Sequence, residues 1–154
     1  MRLALYQPDI PQNTGTLLRM AACLDVGVDI IGPAGFDMSD RSLRRAGLDY
    51  LTHVDLTRHQ SFEDFEKARL ARAQASRLVL LTSHGEMPYT DFKFFATDVL
   101  LLGRESAGVP EAVHDGASAR LRIPMHGGLR SLNIAVAAAM VVGEALRQTR
   151  QEPV

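Results

Sequence analysis

Three loops of this 154-residue sequence combine glycine or proline with polar side chains that could do chemistry. They are PDIPQNTG (8–15), GRESAGVP (103–110) and IPMHGGLRSLN (123–133). Each follows or ends a run that predicts a strand, and ligands of open α/β sheets bind beyond the carboxyl ends of the strands. Glycine and proline fix such loops and let the backbone come close to a ligand. We therefore expect one binding site assembled from three separate loops.

The common nucleotide-binding fingerprints are missing from the sequence. No G-x-G-x-x-G follows the first predicted strand, and no G-x-x-x-x-G-K-[ST] occurs anywhere. A Rossmann or P-loop enzyme is therefore disfavoured, and an unrelated α/β nucleotide-binding enzyme remains only as an alternative. The five histidines and the single cysteine have no zinc-like spacing, so no metal is expected.

Short apolar runs alternate with helical patterns along the chain. Runs rich in leucine or β-branched residues predict five strands, at 2–6, 28–32, 78–82, 99–103 and 120–124. Amphipathic patterns predict five helices, at 14–24, 39–48, 61–75, 109–115 and 131–150. This alternation predicts a single α/β domain over 1–154, in which helices flank a mostly parallel sheet.

Two predicted helices carry residues expected in the core. Cys23 is assigned to the apolar side of the 14–24 helix. In the last helix a stripe of apolar residues at helical spacing is expected to be buried, namely Leu132, Val136, Ala139, Val142 and Leu146.

Composition and charge limit the partners and the compartment. A net charge of -1 argues against a protein that coats nucleic acid nonspecifically, because such binding requires many phosphate contacts. Fifteen of the 17 basic residues are arginine, whose planar fork suits bidentate recognition of phosphate. One cysteine cannot form an internal disulfide, and no apolar run is long enough for a signal peptide or a membrane span. We expect a cytoplasmic protein without membrane contact.

Four segments together resemble the motifs of the SPOUT class of RNA 2′-O-methyltransferases, in order and in spacing. They are PQNTGTLLRMAA (11–22), RSLRRAGLDY (41–50), LLLGRESAGVP (100–110) and IPMHGGLRSLNIAVAAAMVVGEALRQ (123–148). The resemblance covers nearly the whole chain. The RRAGLDY block and the short length are most similar to the bacterial subfamily that methylates the cytidine or uridine at position 34 of tRNA.

This resemblance implies a C-terminal trefoil knot that binds S-adenosylmethionine. It assigns the cofactor pocket to three loops, through Leu81, Thr82, Gly103, Glu105, Ile123, Met125, Ser131 and Leu132. Glycines at 103 and 108 would permit close backbone approach, and Ile123 and Leu132 would offer apolar surface to the adenine.

The same resemblance assigns the reaction centre to Arg19, Asn13, Glu105 and Asn133. Members of the class transfer a methyl group to a ribose hydroxyl, which must be aligned with the donor and must lose its proton. A guanidinium has a reference pKa of about 12.5–13.8 and is a poor base near neutral pH. Arg19 is therefore better suited to hold a phosphate and stabilise the developing alkoxide, while Glu105 or solvent takes the proton.

Five arginines are candidates for RNA contact: Arg41, Arg44, Arg45, Arg104 and Arg130. For the first three, a solvated helix face is the simpler alternative. Asn13 with Thr14, and Ser131 with Asn133, could instead cap the helices predicted at 14 and 131, and the same residue can do both.

The class also implies a homodimer, formed by the first and last helices, in which the active site takes residues from both subunits. Two features depart from the relatives. Ala135 and Val136 replace an asparagine and a small hydroxyl residue that commonly follow SLN, and Gly143 stands where a tyrosine often precedes Glu144. Three alternatives of function remain: a ribosomal RNA target, another tRNA position, or a noncatalytic RNA-binding module of the same fold.

Overall fold

The computed structural model describes residues 1–45, 49–72 and 76–150. The strands are β1 (Arg2–Tyr6), β2 (Gly27–Ile31), β3 (Leu56–His59), β4 (Leu78–Leu81), β5 (Met87–Pro88), β6 (Val99–Leu102) and β7 (Ala119–Arg122). The α-helices are α1 (Pro11–Leu24), α2 (Asp40–Arg45), α3 (Phe62–Ala71), α4 (Glu111–Gly116) and α5 (Ile134–Thr149). Single 3₁₀ turns cover Leu51–His53 and Tyr89–Asp91.

The strands form one sheet in the order β3-β2-β1-β6-β4-β7-β5, and all six pairings are parallel. The predicted parallel sheet and its five strands are therefore confirmed. The prediction missed β3 and β5, which lie at the two edges of the sheet. β3 contains only one aliphatic residue, and β5 is two residues long and ends in proline, so neither has a clear apolar pattern.

Helices cover both faces of the sheet, and the alternation of side chains along β1 shows how. Leu3 and Leu5 lie in the core between the sheet and helices α1 and α5. This core also contains buried residues of both helices. Ala4 and Tyr6 face the opposite side and pack with Phe65 of α3. A parallel sheet buried on both faces has continuous apolar strands, as in β1 and β6.

Helix α1 begins three residues earlier than predicted. Pro11 occupies its first turn, where the missing N–H costs nothing, and Ile10 precedes it without a side-chain cap. Asn13 and Thr14 therefore lie inside the helix, which excludes the alternative that they cap it. The helix ends at Asp25, whose φ of 51° is left-handed.

Cys23 is exposed, so its assignment to the core is wrong. The face of α1 that packs on the sheet is formed by Leu17, Leu18 and Ala21. Cys23 lies two residues beyond Ala21, which is about 200° around a helix of 3.6 residues per turn, and so it points away from the sheet.

The predicted buried stripe of α5 is largely wrong. Among its members only Val142 is buried, whereas Val136 is 52% exposed and Leu132, which precedes the helix, is 42% exposed. The face that packs inward consists of smaller residues offset by one position, namely Ala135, Ala138, Val141, Val142 and Ala145. The helix is apolar on more than one face, so periodicity alone could not choose the inner one.

The other helices begin close to their predicted positions. α3 follows Ser61, whose hydroxyl accepts a hydrogen bond from the Asp64 N–H at 3.1 Å. α4 covers 111–116 where 109–115 was predicted. The predicted ends of the second and third helices, at 48 and 75, lie outside the described residues.

The segment after β4 crosses β7 with no space between the two backbones. A Cβ atom on Gly85 would lie 2.3 Å from the carbonyl carbon of Leu121. The Thr82 N–H donates to the Leu121 carbonyl at 2.9 Å, and the Glu86 N–H donates to the Arg120 carbonyl at 3.1 Å. Glycine at position 85 is therefore a steric requirement of this crossing.

We expect Gly85→Ala to destabilise the fold by about 3 kcal/mol or more, because the new methyl group meets backbone atoms that hydrogen bonds hold in place. Urea unfolding followed by circular dichroism measures the change. Gly116→Ala is the matched control, since a Cβ atom there meets nothing within 4 Å. Equal stability of the two variants would contradict the steric argument.

Candidate active site

A cavity of about 500 Å³ opens at the carboxyl edge of the sheet, between the loops that follow β4, β6 and β7. All eight residues predicted to hold the cofactor line it, namely Leu81, Thr82, Gly103, Glu105, Ile123, Met125, Ser131 and Leu132. Asn13, Asn133 and Arg104 also line it. The three loops chosen from the sequence thus meet at one place, together with the loop after β4.

The floor of the cavity includes a tight loop after β6. Arg104 and Gly108 exchange two backbone hydrogen bonds, each 2.9 Å long. A Cβ atom on Gly103 would lie 2.8 Å from the backbone of Gly108, which itself has a φ of 64°. Both glycines are therefore required by the loop itself, and their lack of side chains leaves the backbone open to a ligand.

A chain of hydrogen bonds with a fixed direction runs along the rim of the cavity. The Asn133 Oδ1 caps α5, accepting from the N–H of Ala135 at 2.9 Å and of Val136 at 3.4 Å. Its Nδ2 must then face outward, and it donates to the Oδ1 of Asn13 at 3.0 Å. The Asn13 Nδ2 in turn donates to Glu105 Oε1 at 3.4 Å. The cap thus sets which amide atoms donate, and Glu105 is the final acceptor.

Asp9 joins the loop after β1 to the loop after β6, which are neighbours because β1 pairs with β6. Its backbone N–H donates to Glu105 Oε2 at 3.1 Å, and its carboxylate accepts from the Ser106 hydroxyl. The Arg104 guanidinium lies 3.5 Å from the same carboxylate oxygen. The other oxygen, Oδ1, is buried and has no conventional donor within the described residues.

The carboxyl groups of Asp9 and Glu105 shift each other's pKa. Hydrogen bonding to Glu105, and next to Ser106, lowers the pKa of Asp9 from 3.8 to about 2. Burial, and next the Asp9 carboxyl, raises the pKa of Glu105 above its ordinary value of 4.5. As the pH falls, Glu105 therefore takes up a proton before Asp9 does. A raised pKa makes the ionised Glu105 a better proton acceptor than an ordinary glutamate.

Arg19 does not line the cavity. It is exposed on α1, six residues after Asn13 and so on a different face of the helix. Its guanidinium carbon lies 4.9 Å from the centre of the Tyr50 ring. The structure thus brings together three of the four predicted reaction residues and leaves the fourth, Arg19, outside the cavity.

The predicted RNA-contacting arginines fall into three environments. Arg41, Arg44 and Arg45 line a shallow groove on α2 together with Asp40. Arg104 turns inward to Gln7 and Asp9. Arg130 is exposed beside the cavity loop.

Asp9 and Gln7 are site residues that the sequence analysis did not single out. Gln7 has a φ of 41°, an uncommon backbone conformation that often accompanies functional sites, and it accepts a hydrogen bond from Arg104 at 3.4 Å. Asp9 belongs to the PDIPQNTG segment that was flagged as a loop. Its role depends on contact with a residue 96 positions later, which no local pattern could indicate.

Neither a metal centre nor a membrane span is found in the part of the chain that the structure covers. In residues 1–45, 49–72 and 76–150, no three His, Cys, Asp or Glu side chains are grouped so that they could hold a metal ion. No helix in these ranges has both the length and the apolar character needed to cross a bilayer.

The fold and this site define a SPOUT-type methyltransferase. The model of the SpoU rRNA methylase family matches residues 1–143, and the chain belongs to that family. The family fold implies the trefoil knot predicted from the resemblance.

Three known proteins illustrate the similarity. A tRNA (cytidine(34)-2′-O)-methyltransferase of Beijerinckia indica subsp. indica is 62% identical over 146 residues, which are 95% of this chain and 90% of that protein. A solved structure that gives insights into the 2-OH methylation of C/U34 on tRNA has a TM-score of 0.87 and 46% identity, covering 96% of this chain and 94% of its own. The SpoU methyltransferase AviRb from Streptomyces viridochromogenes, solved with the cofactor AdoMet, has a TM-score of 0.84 and 32% identity, covering 96% of this chain and 60% of its own.

We expect Asp9→Asn to lower the pKa of Glu105. Asparagine keeps an oxygen for Ser106 and Arg104, but its Nδ2 can donate to Glu105 and so favour the ionised carboxylate. Titration of the Glu105 carboxyl carbon by NMR measures the shift. Asp37→Asn is the control, because Asp37 is exposed and bonds only within its own turn, to Ser39. A Glu105 pKa unchanged in Asp9→Asn would contradict the coupling of the two carboxyl groups.

The same pair predicts how stability depends on pH. The pKa of Asp9 is lowered, so its ionisation stabilises the fold above pH 3.8, and this stabilisation is lost as the pH falls through about 2. The pKa of Glu105 is raised, so its contribution is complete below pH 4.5 and is lost as the pH rises through the raised value. Urea unfolding across this range should give a flatter pH profile for Asp9→Asn than for the natural chain.

Proposed function

We propose that this chain is an S-adenosylmethionine-dependent methyltransferase that methylates the ribose 2′-hydroxyl of nucleotide 34, a cytidine or modified uridine, in the anticodon loop of tRNA. One observation carries this proposal: a single cavity collects all eight predicted cofactor residues and the hydrogen-bonded Asn13, Glu105 and Asn133. The relative from Beijerinckia and the C/U34 structure support the substrate, and the AdoMet complex of AviRb supports the cofactor. A tRNA substrate implies that the enzyme acts in the cytoplasm.

The cavity fits the cofactor in size and chemistry. A volume of about 500 Å³ lies in the range of small-molecule sites. Ile123 and Leu132 can contact the adenine, and the Gly103–Gly108 loop exposes backbone groups to the polar parts of the molecule. When bound, S-adenosylmethionine supplies a methyl group activated by a positively charged sulfur.

The side chains at the rim suit alignment of the ribose and removal of its proton. Asn13 and Asn133 are held in one orientation by the helix cap, so they can position the ribose without rotating first. Glu105 is the final acceptor in this series of hydrogen bonds, and its raised pKa suits it to receive the hydroxyl proton. Solvent at the open rim is the other acceptor.

Arg19 requires a second subunit to reach the reaction centre. It is absent from the cavity wall of its own chain, and a guanidinium that stabilises a developing alkoxide must lie close to it. We infer that Arg19 of a second copy completes the site, and that the cavity functions in a homodimer.

An exposed apolar face on α5 suits this dimer. Val136 and Met140 of α5 lie four residues apart and are 52% and 39% exposed, and Leu132, just before the helix, is 42% exposed. Gly143 continues the same row, and a Cβ atom there would meet nothing within 4 Å. Such a row of apolar and small residues is typical of a helix interface. Val136 and Gly143, where this sequence departs from its relatives, therefore lie in the proposed dimer contact.

Methyl transfer to tRNA tests the function directly. Labelled S-adenosylmethionine is incubated with total tRNA from a strain that lacks this gene, and the product is mapped as a nuclease-resistant dinucleotide. We expect label at nucleotide 34, and a loss of about 100-fold in kcat for Glu105→Gln. Lys67→Ala is a control, since Lys67 is exposed on α3, outside the cavity.

Other outcomes point to the alternatives. Label in ribosomal RNA, or at another tRNA position, would identify a different substrate for the same methyl-transfer reaction. Cofactor binding with no transfer to any RNA would favour a noncatalytic module. No binding of S-adenosylmethionine by calorimetry would contradict the proposal as a whole.

We expect Met140→Glu to separate the subunits, because it buries a charge in the proposed contact without a partner. Sedimentation equilibrium should give twice 16.9 kDa for the natural chain and 16.9 kDa for the variant, with methyl transfer lost. Leu70→Glu is the matched control, since Leu70 is 61% exposed on α3. A natural chain that is monomeric and fully active would refute the dimer.

A further inference from the structure

The arginines of this chain differ in how their charge is balanced. Within the described residues, eight of them form ion pairs with carboxylates, namely Arg2, Arg58, Arg69, Arg72, Arg77, Arg104, Arg120 and Arg147. Arg19 has neither an ion pair nor a hydrogen bond to the residues in the three described ranges. Its contact there is the ring of Tyr50, with the guanidinium carbon 4.9 Å from the ring centre.

An aromatic ring holds a guanidinium in a different way from a carboxylate. The negative face of the ring attracts the cation but carries no net charge, so the arginine keeps its full charge. The contact also leaves the N–H groups without a competing acceptor, whereas a carboxylate would occupy two of them. Arg19 is therefore held in place and remains available to an anion such as an RNA phosphate.

The backbone that carries the Tyr50 ring is anchored. Tyr50 is half-buried at the start of the 3₁₀ turn Leu51–His53, and its carbonyl accepts from the His53 N–H at 2.9 Å. Leu51, the first residue of this turn, and Val54, just after it, pack against the core that includes α1. The backbone that carries the Tyr50 ring is thus held beside the helix that carries Arg19.

We propose that Tyr50 is a positioning residue that holds the Arg19 guanidinium, with its charge not neutralised, toward the phosphate of the bound RNA. This proposal rests on the proposed function, because it assumes that Arg19 acts on the RNA. Tyr50 does not touch the cofactor cavity, so its effect should appear in methyl transfer and not in binding of S-adenosylmethionine.

The test compares Tyr50→Phe and Tyr50→Leu. Phenylalanine keeps the ring, and we expect kcat within about twofold of the natural chain. Leucine keeps apolar bulk but has no ring face, and we expect kcat about tenfold lower with the Kd for S-adenosylmethionine unchanged. In an Arg19→Ala background, Tyr50→Leu should cause no further loss, because the two residues act as one unit. Tyr89→Leu is the matched control, since Tyr89 is a half-buried tyrosine at the other 3₁₀ turn.

A second measurement does not depend on activity. The Nε–Hε signal of Arg19 in the NMR spectrum should keep its shift in Tyr50→Phe and move to the value of a free arginine in Tyr50→Leu. Three results would each overturn the proposal. They are an Arg19 signal that does not move in Tyr50→Leu, full activity of folded Tyr50→Leu, and a loss of kcat from Tyr50→Leu that is as large in the Arg19→Ala background as in the natural chain. If the natural chain methylates no RNA, the proposed function fails, while the NMR comparison still decides whether Tyr50 holds Arg19.

Discussion

The structure depends on one constraint, that a fully parallel sheet is covered by helices on both faces. The strands β1 and β6 at its centre are almost entirely apolar, so they offer few polar groups to a site. Parallel strands also end at the same edge, so the loops after β1, β4, β6 and β7 meet there. The position of the site follows from these two facts, and the loop sequences then decide what the site can do.

Within the site, the hydrogen bonds are ordered by the start of a helix. Asn133 caps α5 with its oxygen, which leaves its nitrogen for Asn13 and directs the nitrogen of Asn13 to Glu105. At the far end, Asp9 holds the other oxygen of Glu105. A main-chain requirement thus helps to determine how the acceptor of the proposed proton is oriented.

Much of this arrangement could be predicted from the sequence. The five main strands and the parallel sheet were predicted because apolar runs leave local patterns. The eight predicted cofactor residues, all of which line the cavity, were assigned by resemblance to the SPOUT motifs. The burial of Cys23 and of the α5 stripe was predicted wrongly, since a helix that is apolar on several faces does not reveal which one turns inward. The contact of Asp9 with Glu105 and that of Arg19 with Tyr50 join distant parts of the chain, and local spacing contains no information about them.

The strand order has a consequence for how the molecule folds. β1 pairs with β6, so the centre of the sheet cannot close until residues 99–102 have been synthesised, and α1 stays partly uncovered until α5 follows. Pairings so distant along the chain slow folding, because loop closure must precede any gain from contact. A ribosome-bound chain would therefore expose the apolar surfaces of β1 and α1 through most of its synthesis, a stage at which chaperones act on nascent proteins.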